Sequence, residues 1–421
     1  MLDINLIRKY PDKVREALLK KIDDVDFTEL LRLDEERRKL IVAVDELKAK
    51  RNEASSQIPV LRKQGRDVTG MFEEMKVVGT NIKDIDGKIR EIDEKIFVII
   101  SELPNLPDED VPIGGKENNE IVRHFGEKPE FEFKPKDHVE LCESLGLIDY
   151  ERAAKMSGAG YWCYTGDGAL FEWALLNYFI DFHNRNGYKF IIPPYLLTEK
   201  SAYVSGHLPK FRDDLFWTQD NTCLNATAEM MMGNYHRDEI LDGESLPLKY
   251  YAFAPSFRRE AGSYRKEERG MIRGHQFHKV EMFQFTVPEE SDEALEEMIK
   301  HAEDLVEGLG LHFQTSKLAA RDCSAAMAKT YDIEVWIPSM GVYKEVSSAS
   351  NARDYQARRG NVRFKNKEGK NEFLHTLNAS GLATSRLLPA IVEQFQQSDG
   401  SVEVPAVLRK WVGKDVLTVN N

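Results

Sequence analysis

Cysteine is scarce and poorly spaced for chemistry: four residues in 421, at Cys142, Cys163, Cys223 and Cys323. No pair has the C-x-x-C spacing of a zinc or redox centre, so structural zinc is not expected and a reducing compartment suits the chain. Long apolar runs are also missing. No stretch of about 18 apolar residues occurs, and the amino-terminal MLDINLIRKY lacks the apolar core of a secretory signal, so no membrane span is expected and a cytoplasmic location is. Positive charge is in deficit, with 58 Lys and Arg against 71 Asp and Glu, a net −13. Such a chain is a poor general binder of polyanions, and any nucleic-acid contact must use local positive charge. Neither G-x-x-x-x-G-K-[ST] nor G-x-G-x-x-G is present, so a nucleotide would not be held by those glycine loops.

What is present divides into two unlike regions. Over 28–103 the apolar residues Met75, Val78, Ile82, Ile85, Ile89, Ile92, Ile96, Ile99 and Leu103 step by three and four, the seam of a coiled coil. An earlier seam runs through Leu33, Leu40, Val44, Leu47, Ala54, Ile58 and Leu61, and Gly65, Asp67 and Gly70 then break the pattern. Two long antiparallel helices joined by a polar tip are expected, with a bend or fraying at Pro59. Lys48, Lys50, Arg51, Arg62, Lys63 and Arg66 face a single acid, Glu53, over 48–66. This positive stripe is read either as a solvated coiled-coil flank or as a contact surface for a polyanion.

Pro104, Pro107, Pro112 and the Gly114, Gly115 pair mark a boundary, placing domains at 1–110 and 111–421. Beyond it, β-rich segments such as KFIIPPYLL, LKYYAFAPSF, KVEMFQFTV and YDIEVWIP alternate irregularly with helical ones such as ALFEWALLNYFIDFHNRNG. The pattern predicts an α+β fold: a helical hairpin followed by a mostly antiparallel sheet flanked by helices.

Three segments carry candidate chemistry. In 257–277, Arg258 and Glu260 share a strand face, either as a forked phosphate donor beside a polar acceptor or as a plain cross-strand ion pair, followed by a turn-rich loop with Gly262, Ser263 and Gly270. In YKEVSSASN, Glu345 precedes Ser347 and Ser348 on an expected strand edge, oxygen ligands suited to Mg²⁺ against phosphates. In 375–396, small residues lead into an apolar helix carrying Arg386, which either points at a triphosphate or lies on the surface of a packed helix.

In this order, and with GYKFIIPPY ahead of them, these segments resemble the seryl-tRNA synthetases of bacterial type, within the class II aminoacyl-tRNA synthetases. GYKFIIPPY is similar to motif 1, FRREAGS with RGMIRGHQF to motif 2, and LNASGLATSR to motif 3; LPKF, ATAE and QARR match as well. The resemblance implies activation of L-serine with ATP to seryl-adenylate, then transfer to the 3′ end of tRNA(Ser), with tRNA(Sec) as an additional candidate, by a homodimer formed through motif 1. It implies that Arg258 holds the α-phosphate and the serine carboxylate, that Glu260 contacts the adenosine, that Phe277 stacks on adenine and that Arg386 meets the γ-phosphate. By the same resemblance Arg258, Glu260 and Arg386 would be the catalytic set, Arg259, Gly274, Val346 and Ser347 would complete the ATP site, and Glu345 with Ser348 would hold Mg²⁺. Thr227 and Glu229 would take the serine ammonium, with Ala228 also on the serine side, while Glu281 and Ser380 would line its hydroxyl pocket. The stripe from Lys48 to Arg66 would be the tRNA contact. Departures from the family pattern fall at 158–161 (GAGY), Asn225, Met230, Met231, Met232, Gly274, His278, Ala349, Ala379, Thr384 and Ser385, and they leave open a paralogue for a related amino acid or a non-catalytic tRNA-binding protein.

Overall fold

The computed structural model describes residues 1–261 and 270–419. The chain forms two compact units, Leu2–Pro104 and Asn105–Asn421, the second also including Met1. Gly262 and Ser263, part of the expected turn-rich loop, lie outside the described residues.

The first unit opens with two short helices, α1 (Ile4–Lys9) and α2 (Pro11–Leu19), followed by α3 (Thr28–Lys63) and α4 (Thr69–Glu102). Both long helices start with the same device: Asp26 Oδ1 accepts from Thr28 N at 2.8 Å and Asp67 Oδ1 from Thr69 N at 2.9 Å, satisfying a donor that the first turn leaves open. All nine predicted seam residues from Met75 to Leu103, eight of them on α4, are buried or half-buried, and Val44, Val78 and Ile82 form one buried cluster of the helix pair. Cross-helix pairs Arg37–Asp93, Lys48–Asp86 and Lys50–Glu74 run in opposite senses along the two helices, which makes the hairpin antiparallel. At 36 and 34 residues each helix is about 50 Å long. The fraying expected at Pro59 does not occur, since α3 continues to Lys63. Pro59 is exposed and in the penultimate turn, so the carbonyl it deprives of a donor can face water.

In the second unit the strands β1 (Glu120–Phe125), β2 (Lys189–Ile191), β3 (Leu248–Phe257), β4 (Gln276–Thr286), β5 (Phe313–Lys317), β6 (Lys329–Ile337), β7 (Val342–Asn351) and β8 (His375–Ala383) form one sheet in the order β1-β5-β6-β7-β8-β4-β3-β2. Every pairing is antiparallel except that of β2 with β3. Its longest helical partners among the described residues are α5 (Asp167–Arg185), α6 (Ser291–Gly308) and α7 (Thr384–Gln394). Phe171, Leu175 and Phe179, four apart on α5, are buried in the main core with Met282, Leu295, Ile299, Leu377 and Leu388. Met230, Met231 and Met232 belong to a second cluster with Phe283 and Phe285.

Two irregularities shape the site. Ile333 pairs with Ser347 and Glu334 with Glu345, so Val346 is an extra residue, a β-bulge. Without it Glu345 and Ser348 would lie on opposite faces; with it they share one and Ser347 takes the other. A second shift lies between Ser380 and Ala383, where Leu382 holds φ 93°. Glu345 does not sit on a free sheet edge as expected: β7 lies inside the sheet, but it meets β8 only from Ala349 to Asn351, which leaves 342–348 open on that side.

Candidate active site

A cavity of about 430 Å³ opens where β3, β4, β7 and β8 converge, and a smaller lobe of about 70 Å³ adjoins it. Period-two alternation along β4 places Phe277, Lys279 and Glu281 on the lining face. Strand β3 delivers Arg258 at its end, and Asn225 fixes that end: Asn225 Nδ2 donates to the Pro255 carbonyl at 2.8 Å and Phe257 N to the Asn225 carbonyl at 2.9 Å. Thus one of the departures pins the loop bearing Thr227 and Glu229 to the strand before Arg258.

Arg258, Glu260, Glu345, Ser348, Arg386, Thr227, Glu229, Glu281 and Ser380 line the large cavity. Gly274, Phe277 and Val346 line the lobe, together with Arg258, Glu260, Glu345 and Arg386. Three expected residues lie away from both. Ser347 is buried on the other face of the bulge and donates to the Ser380 carbonyl at 2.6 Å. Ala228 is buried behind the loop, and Arg259 is placed by its backbone N–H on the Asp214 carbonyl at 2.9 Å. At Gly274 a Cβ would stand 2.2 Å from the Trp162 ring, so glycine is required there and Trp162 occupies the space.

Two ends of the cavity differ in electrostatics. At the inner end, Lys279 Nζ pairs with Glu281 and donates to Thr227 Oγ1 at 2.7 Å. Glu229 accepts from Gln356 Nε2 at 2.7 Å, and burial together with the Glu281 charge pushes its carboxyl up to about 7. Nearby His207 is pushed down to about 3, first by burial and then by the charges of Arg258 and Lys279. Above about pH 7 two carboxylates against one ammonium leave one negative charge, and Arg258 lines the same cavity, which suits a zwitterionic α-amino acid. Asn378 Nδ2 donates to Glu281 Oε1 at 3.1 Å, which adds a further polar group to the inner wall.

At the outer end the Arg258 guanidinium lies 5.2 Å from the centre of the Phe277 ring. Arg386 is half-buried, donating through Nη1 to the Glu345 carbonyl at 2.7 Å and through Nε to the Ile272 carbonyl at 3.1 Å. Arg273 pairs with Glu260, whose own φ is 52°, a left-handed conformation rare outside glycine and a mark of local strain. Three arginines, an aromatic face and the Glu345 carboxylate describe a polyphosphate and a base.

Sequence reasoning passed over Lys279, Arg273, Asn378, Gln356 and His207. Lys279 had a signal, since it lies two residues from both Phe277 and Glu281 on the same strand. Arg273, Asn378 and Gln356 lie within the quoted segments RGMIRGHQF, LNASGLATSR and QARR but were given no role there, and His207 had no signal.

On the hairpin, Arg51, Arg62, Lys63 and Arg66 are exposed and form no ion pair among the described residues, whereas Lys48 and Lys50 are engaged by Asp86 and Glu74. No described helix is long and apolar enough to cross a membrane.

This combination of an antiparallel sheet, paired arginines and a glutamate at one cavity defines a class II aminoacyl-tRNA synthetase core, and residues 211–395 match the family model "tRNA synthetase class II core domain (G, H, P, S and T)". Residues 1–107 match the "Seryl-tRNA synthetase N-terminal domain". The chain is 59% identical over 99% of its length to the whole of "Serine--tRNA ligase 2" of Clostridium acetobutylicum, and 48% identical over 99% to the whole of the "Serine--tRNA ligase" of Caldicellulosiruptor bescii. The crystal structure of seryl-tRNA synthetase from Pyrococcus horikoshii complexed with ATP superposes with a TM-score of 0.93 at 35% identity, covering both chains fully. The cytoplasmic serine-tRNA ligase of Naegleria fowleri in complex with AMP superposes at 0.87 and 29% identity, over all of this chain and 99% of that one. The chain belongs to the seryl-tRNA synthetase family.

Proposed function

We infer that this aminoacyl-tRNA ligase, which activates serine with ATP and charges tRNA(Ser), works through the cavity described above. The observation that supports the assignment of roles is that Arg258 and Glu229 line one polar pocket. Arg258 takes the serine carboxylate and Glu229 the ammonium, while Glu281, Ser380 and Asn378 offer hydrogen bonds to the side-chain hydroxyl. Alanine would leave those buried groups unpaired, which is a steep penalty. ATP lies with its base on Phe277 and its phosphates toward Arg258, Arg273 and Arg386.

A serine carboxylate oxygen attacks the α-phosphorus, forming one P–O bond as the bond to the bridging oxygen breaks and pyrophosphate leaves. Arg258 and Arg386 stabilise the charge that builds up, and the chain supplies position and electrostatics with no covalent nucleophile. A ribose hydroxyl of the terminal tRNA adenosine then attacks the seryl carbonyl and AMP departs.

Mg²⁺ fits the outer wall. Glu345 and Ser348 offer oxygens from one face of β7, and Asp332, opposite Ser348, has a buried Oδ1 with no hydrogen-bond partner among the described residues. Glu345 and Ser348 would hold the ion, which when bound neutralises phosphate charge.

A homodimer through motif 1 is part of the reading, supported by the exposed apolar residues Leu170, Trp173, Ile192 and Leu196. So are tRNA contact along Arg51, Arg62, Lys63 and Arg66, a division of labour between residues 1–110 and 111–421, and a cytoplasmic location. Charging of a tRNA(Ser) transcript with labelled serine tests the whole; no charging by the folded chain at saturating ATP and Mg²⁺ overturns it.

A further inference from the structure

One buried carboxylate lies beneath the nucleotide lobe and touches neither cavity. Glu172, on the inner face of α5, is 3% exposed. Its Oε1 accepts two hydrogen bonds, from His278 Nδ1 at 2.7 Å and from Thr384 Oγ1 at 2.7 Å. Thr384 Oγ1 also lies 3.3 Å from the His278 carbonyl, which closes the three residues into one unit. Because a carboxylate only accepts, Nδ1 of His278 carries the proton. The Tyr164 ring stacks on His278 at 6.4 Å.

The placement of the two donors matters. His278 follows Phe277 on β4, and Thr384 is the first residue of α7, two before Arg386. Phe277 and Arg386 line the same lobe, as do Ala383 and Ser385 on either side of Thr384. The base-facing ring and the phosphate-facing arginine thus come from separate elements, and one oxygen bonds a neighbour of each. Glu172 Oε2 is buried and makes no hydrogen bond of ordinary geometry among the described residues, although the buried Tyr164 hydroxyl interacts with this carboxylate, and a buried charge so placed costs stability. An apolar residue would serve packing better at this position, so what the carboxylate contributes is geometry.

We propose that Glu172 is a positioning residue for ATP: by holding His278 and Thr384 on a single oxygen it fixes the separation of Phe277 and Arg386. The proposal rests on the reading of the lobe as the nucleotide subsite. It predicts an effect on ATP that serine does not share, because the serine end of the cavity is built on the 225–229 loop, Lys279 and Glu281 and contains none of these bonds.

The test is serine-dependent pyrophosphate exchange by the full chain, with KM for ATP and for serine measured separately and ATP affinity read in parallel by calorimetry. Glu172→Ala raises KM for ATP about tenfold and leaves KM for serine within about twofold, the loss expected for two bonds to a charged acceptor. Glu172→Gln restores the ATP value to within about twofold, because the amide oxygen accepts the same two bonds. Thr384→Val, which removes one bond and keeps the shape, raises KM for ATP about threefold and carries the test if Glu172→Ala fails to fold. Equal increases in both constants, an unchanged ATP constant in Thr384→Val, or a glutamine variant no better than alanine would overturn the proposal. If the unaltered chain shows no exchange, the functional reading falls, and the ratio of ATP affinities still decides this one.

Discussion

Lys279 and Glu281, two residues apart on β4, form a buried ion pair at the inner end of the cavity, with the lysine side chain 8% and the glutamate 1% exposed. Breaking one side leaves the other charged and desolvated. Lys279→Met is therefore expected to cost about 3–5 kcal/mol of unfolding free energy, and Lys279→Met with Glu281→Gln to recover most of it. Urea denaturation of the two variants checks this; equal losses in both would show that the pair contributes no more than packing.

The same lysine neutralises Glu281, which leaves Glu229 as the carboxylate available to a substrate ammonium. Burial and the Glu281 charge push Glu229 up to about 7, so below that pH its folded form holds a proton that an ammonium must displace. KM for serine should rise as pH falls below about 7, by up to tenfold per unit, and flatten above it. The linked stability runs the other way: a raised carboxyl pKa means that stability declines as pH rises from the ordinary carboxylate range toward 7. In Glu229→Gln the pH dependence of KM for serine should vanish, and a profile that persists would assign it to another group.

Glu345→Gln should increase the Mg²⁺ concentration needed for half-maximal exchange by about tenfold or more, since a hard cation loses a charged oxygen. Arg386→Ala should lower the exchange rate about 10²–10³-fold without changing the Mg²⁺ midpoint comparably. Exchange titrated with Mg²⁺ separates the two, and identical midpoints in Glu345→Gln and the parent chain would remove Glu345 from the ion's site.

Reversal of Arg51, Arg62, Lys63 and Arg66 to glutamate should lower charging of tRNA(Ser) at least 10²-fold and spare exchange, because affinity for a polyanion follows the phosphates neutralised. Reversal of Lys48 and Lys50, which already pair with Asp86 and Glu74, should cost less. Charging measured beside exchange checks both, and a loss of exchange in the first variant would contradict a role confined to tRNA.

The hairpin was legible because its seam repeats every three and four residues, and the structure follows it from Met75 to Leu103. The strands around motif 2 were legible from alternation, but β3 ends at Phe257, so Arg258 and Glu260 do not share a strand face as expected: Glu260 turns off at φ 52° and pairs with Arg273. Over 375–383, read only as small residues entering a helix, the strand β8 was missed. Glu345 and Ser348 could be named, yet nothing in YKEVSSASN reveals the bulge at Val346 that brings them to one face and turns Ser347 away. Bulges depend on the partner strand, which local sequence does not specify. Gln356, Asn378 and Arg273 were missed for a related reason: each becomes functional only through a partner, Glu229, Glu281 and Glu260, more than a dozen residues away. Fraying at Pro59 was expected from the lost hydrogen bond alone, and its cost depends on the solvent exposure of the turn around it.

The central claim is that Arg258, Glu229, Glu281 and Arg386 form a single site that activates serine. Pyrophosphate exchange with a panel of serine, threonine, alanine, cysteine and glycine at saturating ATP and Mg²⁺ addresses it most directly. Robust exchange is expected with serine, and kcat/KM at least about 10³-fold lower with alanine, whose missing hydroxyl leaves the inner wall unpaired. Equal exchange with serine and alanine, or a preference for another member of the panel, would contradict it.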